Sequence, residues 1–565
     1  MKFSDKILLK KYLFLFFIFF YSSCTINNKI EKTTTVIPPV ESTVSNFWKN
    51  ATVYFLLTDR FNNGDKTNDF PLNRKKDGAV LRSFEGGDLK GITLKIKEGY
   101  FDKLGVNAIW MTPIIEQVHG ATDEGTGKTY AYHGYWAKDW TRLDPNFGTE
   151  ADFAELIETA HQHGIRILMD VVINHTGPVT KNDLQWPDNW VRTGPTCQYK
   201  DLETTVSCTL VDNLPDIKTG NNEAVELPTF LKEKWAAEGR LAQEEKSLDA
   251  FFEKTGYPRA PRFYLIKWFR DWVRKYGIDG FRVDTAKHTE AEIWKELKHE
   301  SRIAFHEWKQ ANPAKALDAE DFYMVGEVYN YGVDGGKNYD YGDQKVDFFA
   351  NGFEGLINFA FKWDAKNSYE SLFSKYSQVL NGSEMQSVSV LNYLTSHDDS
   401  SPFDAERLKP FEVGTKLLLS PGAAQIYYGD EIARPLVIEG TQGDATLRSF
   451  MNWEDLNKKS TKDLLRHWQK LGQFRKAHPS IGAGKHEQLQ AKPYLFKRTL
   501  NADNHQDKVL VGLDLKQGQK TIPVSAVFEN DMEVRDFYSG KTVTVKAGKI
   551  QLNTDFDIVL IEKVN

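Results

Sequence analysis

Apolar segments of strand length alternate with helix-like segments from Val53 to Tyr428, and this alternation restricts the fold more than any other feature of the chain. One complete unit has helically spaced apolar residues over 151–163, a terminating Gly164 and the apolar run Ile165–Ile173. Such runs are typical of parallel strands, because crossover helices cover both faces of the sheet. The repetition predicts an α/β fold of the (β/α)₈ TIM-barrel type. The other predicted elements are the strands Val53–Leu57, Leu104–Pro113, Ile278–Val283, Phe322–Val328, Gly355–Phe359, Val388–Leu394 and Ala424–Tyr428, and the helices Phe263–Tyr276 and Leu464–Ala477.

Acidic and imidazole side chains lie at the ends of four predicted strands. Barrels of this type carry their chemistry at the carboxyl ends of the strands, so we expect these side chains to share one rim. Each also has a structural interpretation, for example an ion pair between Arg282 and Asp284 or a core imidazole at His175. The residues are Asp170, Asn174, His175, Arg282, Asp284, Glu327, His397 and Asp398.

Two of the acids stand in different local settings. Arg282 and Asp284 are two positions apart on a strand and point to one face, where the guanidinium would keep the carboxylate ionised. Glu327 follows the apolar residues 324–326, where desolvation favours the protonated form. Cleavage of a glycosidic bond with retention needs such a pair, an ionised nucleophile and a protonated acid roughly 5 Å apart.

These strand-end motifs resemble, in order, those of the α-amylase family, glycoside hydrolase family 13. The resemblance extends from about Val53 to the end of the predicted barrel. It implies retaining endo-hydrolysis of α-1,4-glucosidic bonds in starch, glycogen or maltodextrins. In that reaction Asp284 would form a covalent glycosyl intermediate, Glu327 would be the acid, and Asp398 would hold hydroxyls of the distorted sugar. The matching segments are 170–175, 280–288, 324–328 and 394–398.

The resemblance also implies a set of substrate-binding residues around the acids. One segment, Ala131–Trp136, suits a sugar on its own chemistry, because rings stack on the CH faces and imidazole bonds hydroxyls. An aromatic cluster of this kind can equally be part of a core. The implied substrate-binding residues are His133, Tyr135, Trp136, His175, Arg282, Lys287, His288 and His397.

The loop after the first predicted strand is rich in oxygen donors. Carboxylate, amide and carbonyl oxygens are the ligands that Ca²⁺ prefers, although a metal-free turn rich in Gly and Asn has the same composition. The resemblance implies a first Ca²⁺ site of Asn63, Asp65, Asn68, Asp69, the Gly86 carbonyl and Asp88. It implies a second site of Asn174, Asp216 and the His288 carbonyl.

The strand and helix alternation stops after the third predicted strand and later resumes. We therefore expect a catalytic domain at 47–478 with an inserted subdomain at 176–258. Within the insertion, Cys197 and Cys208 can form a disulfide in an oxidising compartment or remain free thiols.

Short alternating segments begin near residue 485 and predict a C-terminal antiparallel β-sandwich domain at 485–565. Its predicted strands are Tyr494–Arg498, Lys508–Leu515, Thr521–Phe528, Thr542–Val545 and Ile558–Glu562.

The amino terminus has the features of an export signal. Lysines precede an apolar run, Tyr12–Phe20, which is too short to span a bilayer, and small residues lead to Cys24. We expect a lipoprotein-type signal peptide at 1–24, acylation of Cys24 and a flexible tether at 25–46. The expected location is the outer membrane or cell surface, with periplasmic or secreted protein as the alternative.

Other functions receive less support from the sequence. The net charge of −6 does not favour nucleic acid as a partner. Serine-hydrolase and catalytic-metal motifs are missing from the sequence. A cyclomaltodextrinase or transglycosylase would use the same acids, and acceptor-side loops would decide between these activities. A catalytically inactive glucan-binding surface lipoprotein is the non-enzymatic alternative, against which the three intact acids argue.

Overall fold

The computed structural model describes residues 44–502 and 505–564. The expected signal peptide at 1–24, with Cys24, and the expected tether up to residue 43 lie outside the described residues. In the part of the chain that is described, no helix combines the length and apolar character needed to cross a membrane.

Eight parallel strands close into a barrel, which confirms the predicted fold class. Each strand lies within or beside its predicted segment and is mostly shorter, because the segment also includes the turns. In chain order the barrel strands are β1 (Thr52–Leu56), β2 (Ala108–Met111), β3 (Arg166–Val171), β4 (Gly280–Val283), β5 (Tyr323–Gly326), β6 (Gly355–Asn358), β7 (Ser389–Asn392) and β8 (Ala423–Tyr427).

Helices surround the barrel and begin at residues suited to capping. The helix Glu150–Gln162 has a capping box, in which Thr149 and Asp152 bond each other's backbone N–H groups. Asp88 caps the helix Leu89–Lys97, which was not predicted, by accepting from the Gly91 N–H. The other helices of nine residues or more are Thr229–Ala237, Leu241–Thr255, Pro261–Tyr276, Glu292–Ala311, Tyr369–Leu380, Pro410–Leu418 and Lys459–Ala477. The shorter α-helices are Asn46–Asn50, Thr58–Phe61, Tyr100–Lys103, Glu203–Val206, Phe361–Asp364 and Ser480–Ala483.

The segment between β3 and the helix Pro261–Tyr276 forms the inserted part of the molecule. A short ladder pairs Val191–Arg192 with Asp216–Ile217, next to the carboxyl end of β3. Cys197 and Cys208 form a disulfide, with their Cα atoms 4.9 Å apart. The bond confirms one of the two states that the sequence allowed.

An antiparallel sheet of six strands and a further two-stranded sheet follow the barrel. They share a small core of their own, separate from the barrel core. The strands of the larger sheet are Lys485–Gln490, Tyr494–Ala502, His505–Leu513, Val559–Lys563, Glu533–Asp536 and Lys541–Thr544, and those of the smaller are Gly518–Pro523 and Lys549–Thr554.

The folded region includes residues that were expected to belong to the tether. Val44 is buried, and its N–H donates to the Ser387 carbonyl. Ser45 caps the helix Asn46–Asn50, and the ring of Trp48 stacks on Tyr323 at 3.8 Å. Burial of this tryptophan against β5 explains why residues 44–46 pack on the barrel.

Candidate active site

The centre of the site follows from the register of two neighbouring parallel strands. Arg282 on β4 lies beside Asp170 on β3, and Asp284 follows directly after β4. The Arg282 side chain has no exposed surface. Its Nη1 atom lies 2.9 Å from Asp170 Oδ1 and 2.8 Å from Asp284 Oδ1.

The same guanidinium also reaches Glu327. The distance from Arg282 Nη2 to Glu327 Oε2 is 2.9 Å. One planar group therefore contacts three carboxylates and holds Asp284 and Glu327 on the same guanidinium. Retaining glycosidases need two acids that are close together in this way.

The two acids differ in their protonation at neutral pH. Burial raises the pKa of Asp284 to about 6, against the opposing charge of Arg282. Burial raises the pKa of Glu327 to about 8, and the nearby charges of Asp284 and Asp398 add to this rise. At neutral pH Asp284 is mostly ionised and Glu327 mostly protonated, as a nucleophile and an acid require. The sequence attributed the ionised state of Asp284 to a guanidinium beside that acid. In the structure Arg282 contacts both acids, so its charge does not by itself distinguish them.

The backbone after the nucleophile is strained and takes part in the site. Thr285 has φ 47° and ψ 36°, a left-handed conformation that residues other than glycine rarely adopt. In this conformation its N–H donates to Glu327 Oε2 at 3.0 Å. Sequence reasoning did not identify Thr285, because its side chain has no part in the contact.

Asp398 lines the same cleft and has two partners. Its Oδ2 lies 3.1 Å from His397 Nε2, and its Oδ1 accepts from Arg448 Nη2 at 2.5 Å. Burial holds the pKa of His397 well below its usual range, so this ring is a neutral donor. The Asp398 side chain is 44% exposed and can reach a ligand.

Three further predicted residues form the wall next to β3. Tyr135 donates from its hydroxyl to Asp170 Oδ2 at 2.9 Å, and its ring stacks on His397. His175 Nε2 lies 3.0 Å from the Tyr135 carbonyl oxygen, and burial lowers the pKa of His175 to about 4. His133 Nδ1 accepts from the Tyr135 N–H.

Lys287 also lines the cleft and is surrounded by tyrosine rings. Its Nζ lies 5.6, 5.2 and 5.5 Å from the ring centres of Tyr199, Tyr329 and Tyr339. Burial lowers the pKa of Lys287 to about 8. His288 Nδ1 lies 3.1 Å from the Thr205 carbonyl oxygen, so the disulfide-closed loop is attached to the end of β4.

A cleft of about 750 Å³ joins these groups. It contains every predicted catalytic and substrate-binding residue except Arg282 and His397, which lie beneath it. Sequence reasoning missed several lining residues because they come from loops without a motif. Only Tyr329, two positions after Glu327, gave a local signal. The missed residues include Arg82, Glu124, Tyr199, Tyr329, Asn330, Tyr339, Asp444 and Arg448.

The first predicted Ca²⁺ site is assembled in part. The amide oxygens of Asn63 and Asn68 are buried without a hydrogen-bond partner, which suits a cation. A side chain at Gly86 would meet Asn63 and Asp69, so these residues are close together. Asp65 instead caps the turn at Thr67 and lies 3.3 Å from Lys90. In the described part of the chain, no group of three or more His, Cys, Asp or Glu side chains is placed to bind a metal, so amide and carbonyl oxygens would have to contribute.

Two of the three predicted residues of the second Ca²⁺ site, Asn174 and Asp216, lie together, next to a positively charged neighbour. The Ile217 N–H donates to the Asn174 carbonyl, which brings Asp216 next to Asn174. Asp216 is buried, and its Oδ2 lies 3.0 Å from Arg192 Nε. The set fits a cation poorly while Arg192 occupies this position.

Known proteins resemble this chain in sequence and in fold. The family description "Alpha amylase, catalytic domain" matches residues 55–454. A periplasmic alpha-amylase of Escherichia coli (strain K12) is 40% identical over 527 residues, covering 82% of this chain and 72% of that protein. A cyclomaltodextrinase of a Bacillus species is 27% identical over 504 residues, covering 86% of this chain and 76% of that protein. The crystal structure of an Anoxybacillus alpha-amylase has a TM-score of 0.62 at 24% identity, covering 92% of this chain and 99% of that chain.

Proposed function

The chain belongs to the α-amylase family of glycoside hydrolases, and we propose that it cleaves internal α-1,4-glucosidic bonds of starch, glycogen or maltodextrins with retention of configuration. One observation carries the proposal. Asp284 and Glu327 contact the same guanidinium, yet burial raises their pKa values to about 6 and about 8, so they differ in protonation at neutral pH. A retaining glycosidase requires this difference.

The reaction proceeds in two displacements. An Asp284 oxygen bonds to the anomeric carbon as the glycosidic C–O bond breaks, and Glu327 transfers its proton to the leaving oxygen. Water then loses a proton to Glu327 while its oxygen displaces Asp284 from the anomeric carbon. Asp398, held by His397 and Arg448, accepts hydrogen bonds from hydroxyls of the sugar between these acids.

Proton NMR of the first product released from a maltooligosaccharide tests retention. We expect the α-anomer to appear first and to mutarotate later. An initial β-anomer would overturn the assignment. Endo action is tested by starch viscosity, which should fall well before many reducing ends are released.

A cyclomaltodextrinase or transglycosylase is the second candidate. The same acids serve these activities, and a Bacillus cyclomaltodextrinase is among the relatives, at 27% identity against 40% for the periplasmic alpha-amylase. Product analysis on starch, pullulan and cyclodextrins separates the candidates. Faster cleavage of cyclodextrins than of starch would favour the second.

We also propose a bound Ca²⁺ at the loop after β1. The partnerless amide oxygens of Asn63 and Asn68 support it, with Asp69, the Gly86 carbonyl and Asp88 as the other ligands. When bound, Ca²⁺ would hold these loops together, and chelation should then lower the melting temperature. At Asp216 the ion would have to displace Arg192, so metal analysis should give one ion per chain if Arg192 stays and two if it leaves. Purified protein with neither metal nor sensitivity to chelator would refute both sites.

Export of the chain is supported by the relative named periplasmic and by the Cys197–Cys208 disulfide, which is typical of oxidising compartments. The finer proposal is a lipid anchor at Cys24, and it rests on the sequence alone. Mass spectrometry of membrane-extracted protein should find acyl groups on Cys24. A Cys24→Ser protein that still partitions into detergent would contradict the anchor.

A further inference from the structure

A small side pocket adjoins the main cleft at the acids. Its volume is about 150 Å³, against about 750 Å³ for the cleft, and it is the more enclosed of the two. The linings of the two spaces share four residues, Glu327, Tyr329, Asn330 and Asp398. The side pocket therefore meets the cleft where the chemistry takes place.

The ends of β6 and β7 and the loops that follow them form most of the side pocket. Ile357 and Phe359 contribute from the end of β6, and Tyr393 and Ser396 follow β7. The lining also includes Trp363, which is 50% exposed. The pocket thus extends from the buried acids toward the surface.

Tyr393 brings a polar group without a protein partner to this lining. The residue is 2% exposed, and its ring meets Phe359 edge to face, with centres 5.6 Å apart. Among the described residues its hydroxyl has no hydrogen-bond partner, although buried polar groups are almost always paired. A water in the pocket is the partner that remains.

The Tyr393 hydroxyl keeps its proton next to the acids. Burial raises the pKa of Tyr393 well above its usual range, and the nearby charges of Asp399 and Glu327 add to the rise. A protonated hydroxyl can both donate a hydrogen bond to water and accept one from it. Such a group can hold a water in a defined position.

The side pocket suits water better than an ion or a sugar. Lys362 Nζ donates to Asp399 Oδ1, so these two charged groups of the lining neutralise each other. The volume is large enough for several waters. A glucan needs a space that is open along its length, whereas this pocket is enclosed.

We propose that the side pocket holds the water that hydrolyses the glycosyl intermediate, and that the Tyr393 hydroxyl positions this water. The inference rests on the proposed function, in which the water oxygen bonds to the anomeric carbon, the bond to Asp284 breaks and Glu327 takes the proton. Water stored beside Glu327 reaches the intermediate without passing through the part of the cleft that the leaving sugar occupies. Hydrolysis then competes well with transfer to a second sugar, which must enter by the cleft.

The test measures how the intermediate divides between water and a sugar acceptor. With the full chain, α-maltosyl fluoride is the donor and 4-nitrophenyl α-glucoside the acceptor. Chromatography measures the transfer product, and fluoride release in excess of it measures hydrolysis.

The Tyr393→Phe variant keeps the ring and removes only the hydroxyl. Its ratio of transfer to hydrolysis should rise by about fivefold, the effect of one lost hydrogen bond on the attack by water. The matched control is Tyr323→Phe, at a tyrosine that is also 2% exposed but lies at the base of the barrel. The control should keep the wild-type ratio.

Two results with these variants would overturn the inference. One is an equal ratio in the Tyr393→Phe protein and the wild type. The other is slower fluoride release at an unchanged ratio, which would assign Tyr393 a structural role only.

A high-resolution crystal structure of the wild type gives a readout that does not depend on activity. It should show ordered water bound to the Tyr393 hydroxyl, and an empty pocket or a sugar in its place would overturn the inference. Wild-type protein that has this water but cleaves neither α-glucans nor α-maltosyl fluoride would refute the proposed function and leave the water site in place.

Discussion

The rim and the base of the barrel both bury arginine side chains but surround them differently. At the rim, Arg282 contacts three acidic side chains. At the base, Arg475 donates to backbone carbonyls next to the amino ends of β1 and β8, and Arg498 donates to carbonyls nearby. Among the described residues neither Arg475 nor Arg498 has a carboxylate partner.

The charged groups at the rim serve catalysis, and the buried arginines at the base serve stability. Three carboxylates exceed what Arg282 can neutralise, so burial leaves their pKa values raised and one acid protonated. At the base, burial lowers the pKa values of Arg475 and Arg498 only to about 9, so both stay charged at neutral pH. Their charges bind the dipoles of backbone carbonyls. Changes at the rim should therefore alter rate, and changes at the base should alter stability.

The largest effect is expected for Asp284→Asn. Without the nucleophile no glycosyl intermediate forms, and turnover of every substrate should fall by about four orders of magnitude or more. Intact-mass measurement after mixing with a glycosyl fluoride should find no adduct. An adduct on this variant would show that the two acids are assigned wrongly.

Glu327→Gln should have a smaller effect that depends on the leaving group. Starch hydrolysis should fall by about 10²–10⁴-fold, the usual contribution of a general acid. A glycosyl fluoride leaves without a proton, so it should still load Asp284, and the covalent adduct should accumulate. Equal losses on starch and on the fluoride would remove the distinction between the two acids.

At the base, Arg475→Met should destabilise the protein without changing the rate. The carbonyls of Asn50, Leu418 and Ser420 would be left buried without a donor, which costs about 3 kcal/mol or more in total. We expect a melting temperature lowered by several degrees and an unchanged kcat below the transition. Arg274→Met, at an arginine with a 44% exposed side chain, is the control and should melt like the wild type. If the Arg475→Met protein lost activity while its stability stayed unchanged, the proposed difference between rim and base would be contradicted.

The smallest effect concerns His478, which joins the barrel to the β domain. Its ring nitrogens lie 2.8 Å from Asp507 and 2.7 Å from Glu562, and these acids, acting against burial, raise the pKa of His478 to about 9. Because the folded pKa exceeds the unfolded one, this stabilisation is complete below about pH 6.5 and disappears as the pH rises through 9.

The His478→Gln protein should therefore melt below the wild type at pH 6 and approach it above pH 9. Melting curves across this range measure the effect, and His306→Gln, at an exposed histidine paired with Asp321, is the matched control. A constant difference between the His478→Gln protein and the wild type at all pH values would contradict the linkage.

Much of the barrel and the main acids could be predicted because their signals are local. Apolar periodicity marks each strand, and the acid at the end of a strand is adjacent to it in the sequence, as for Asp284 and Glu327. The helix Leu89–Lys97 was not predicted, although its buried residues Leu89, Ile92 and Ile96 have helical spacing. Tyr199 and Arg448 were missed as cleft residues because distant loops deliver them.

The sequence by itself determined the fold class and the order of the motifs, since both depend on neighbours along the chain. Only the tertiary structure decided how charges meet across strands. The register of β3, β4 and β5 places Arg282 against Asp170 and within reach of Glu327, and so makes one guanidinium serve three acids. Packing also determines that Cys197 and Cys208 form a disulfide instead of remaining free thiols. It places Arg282 beneath the cleft instead of in its lining. These outcomes depend on which groups share a buried space, and spacing in the sequence does not specify that.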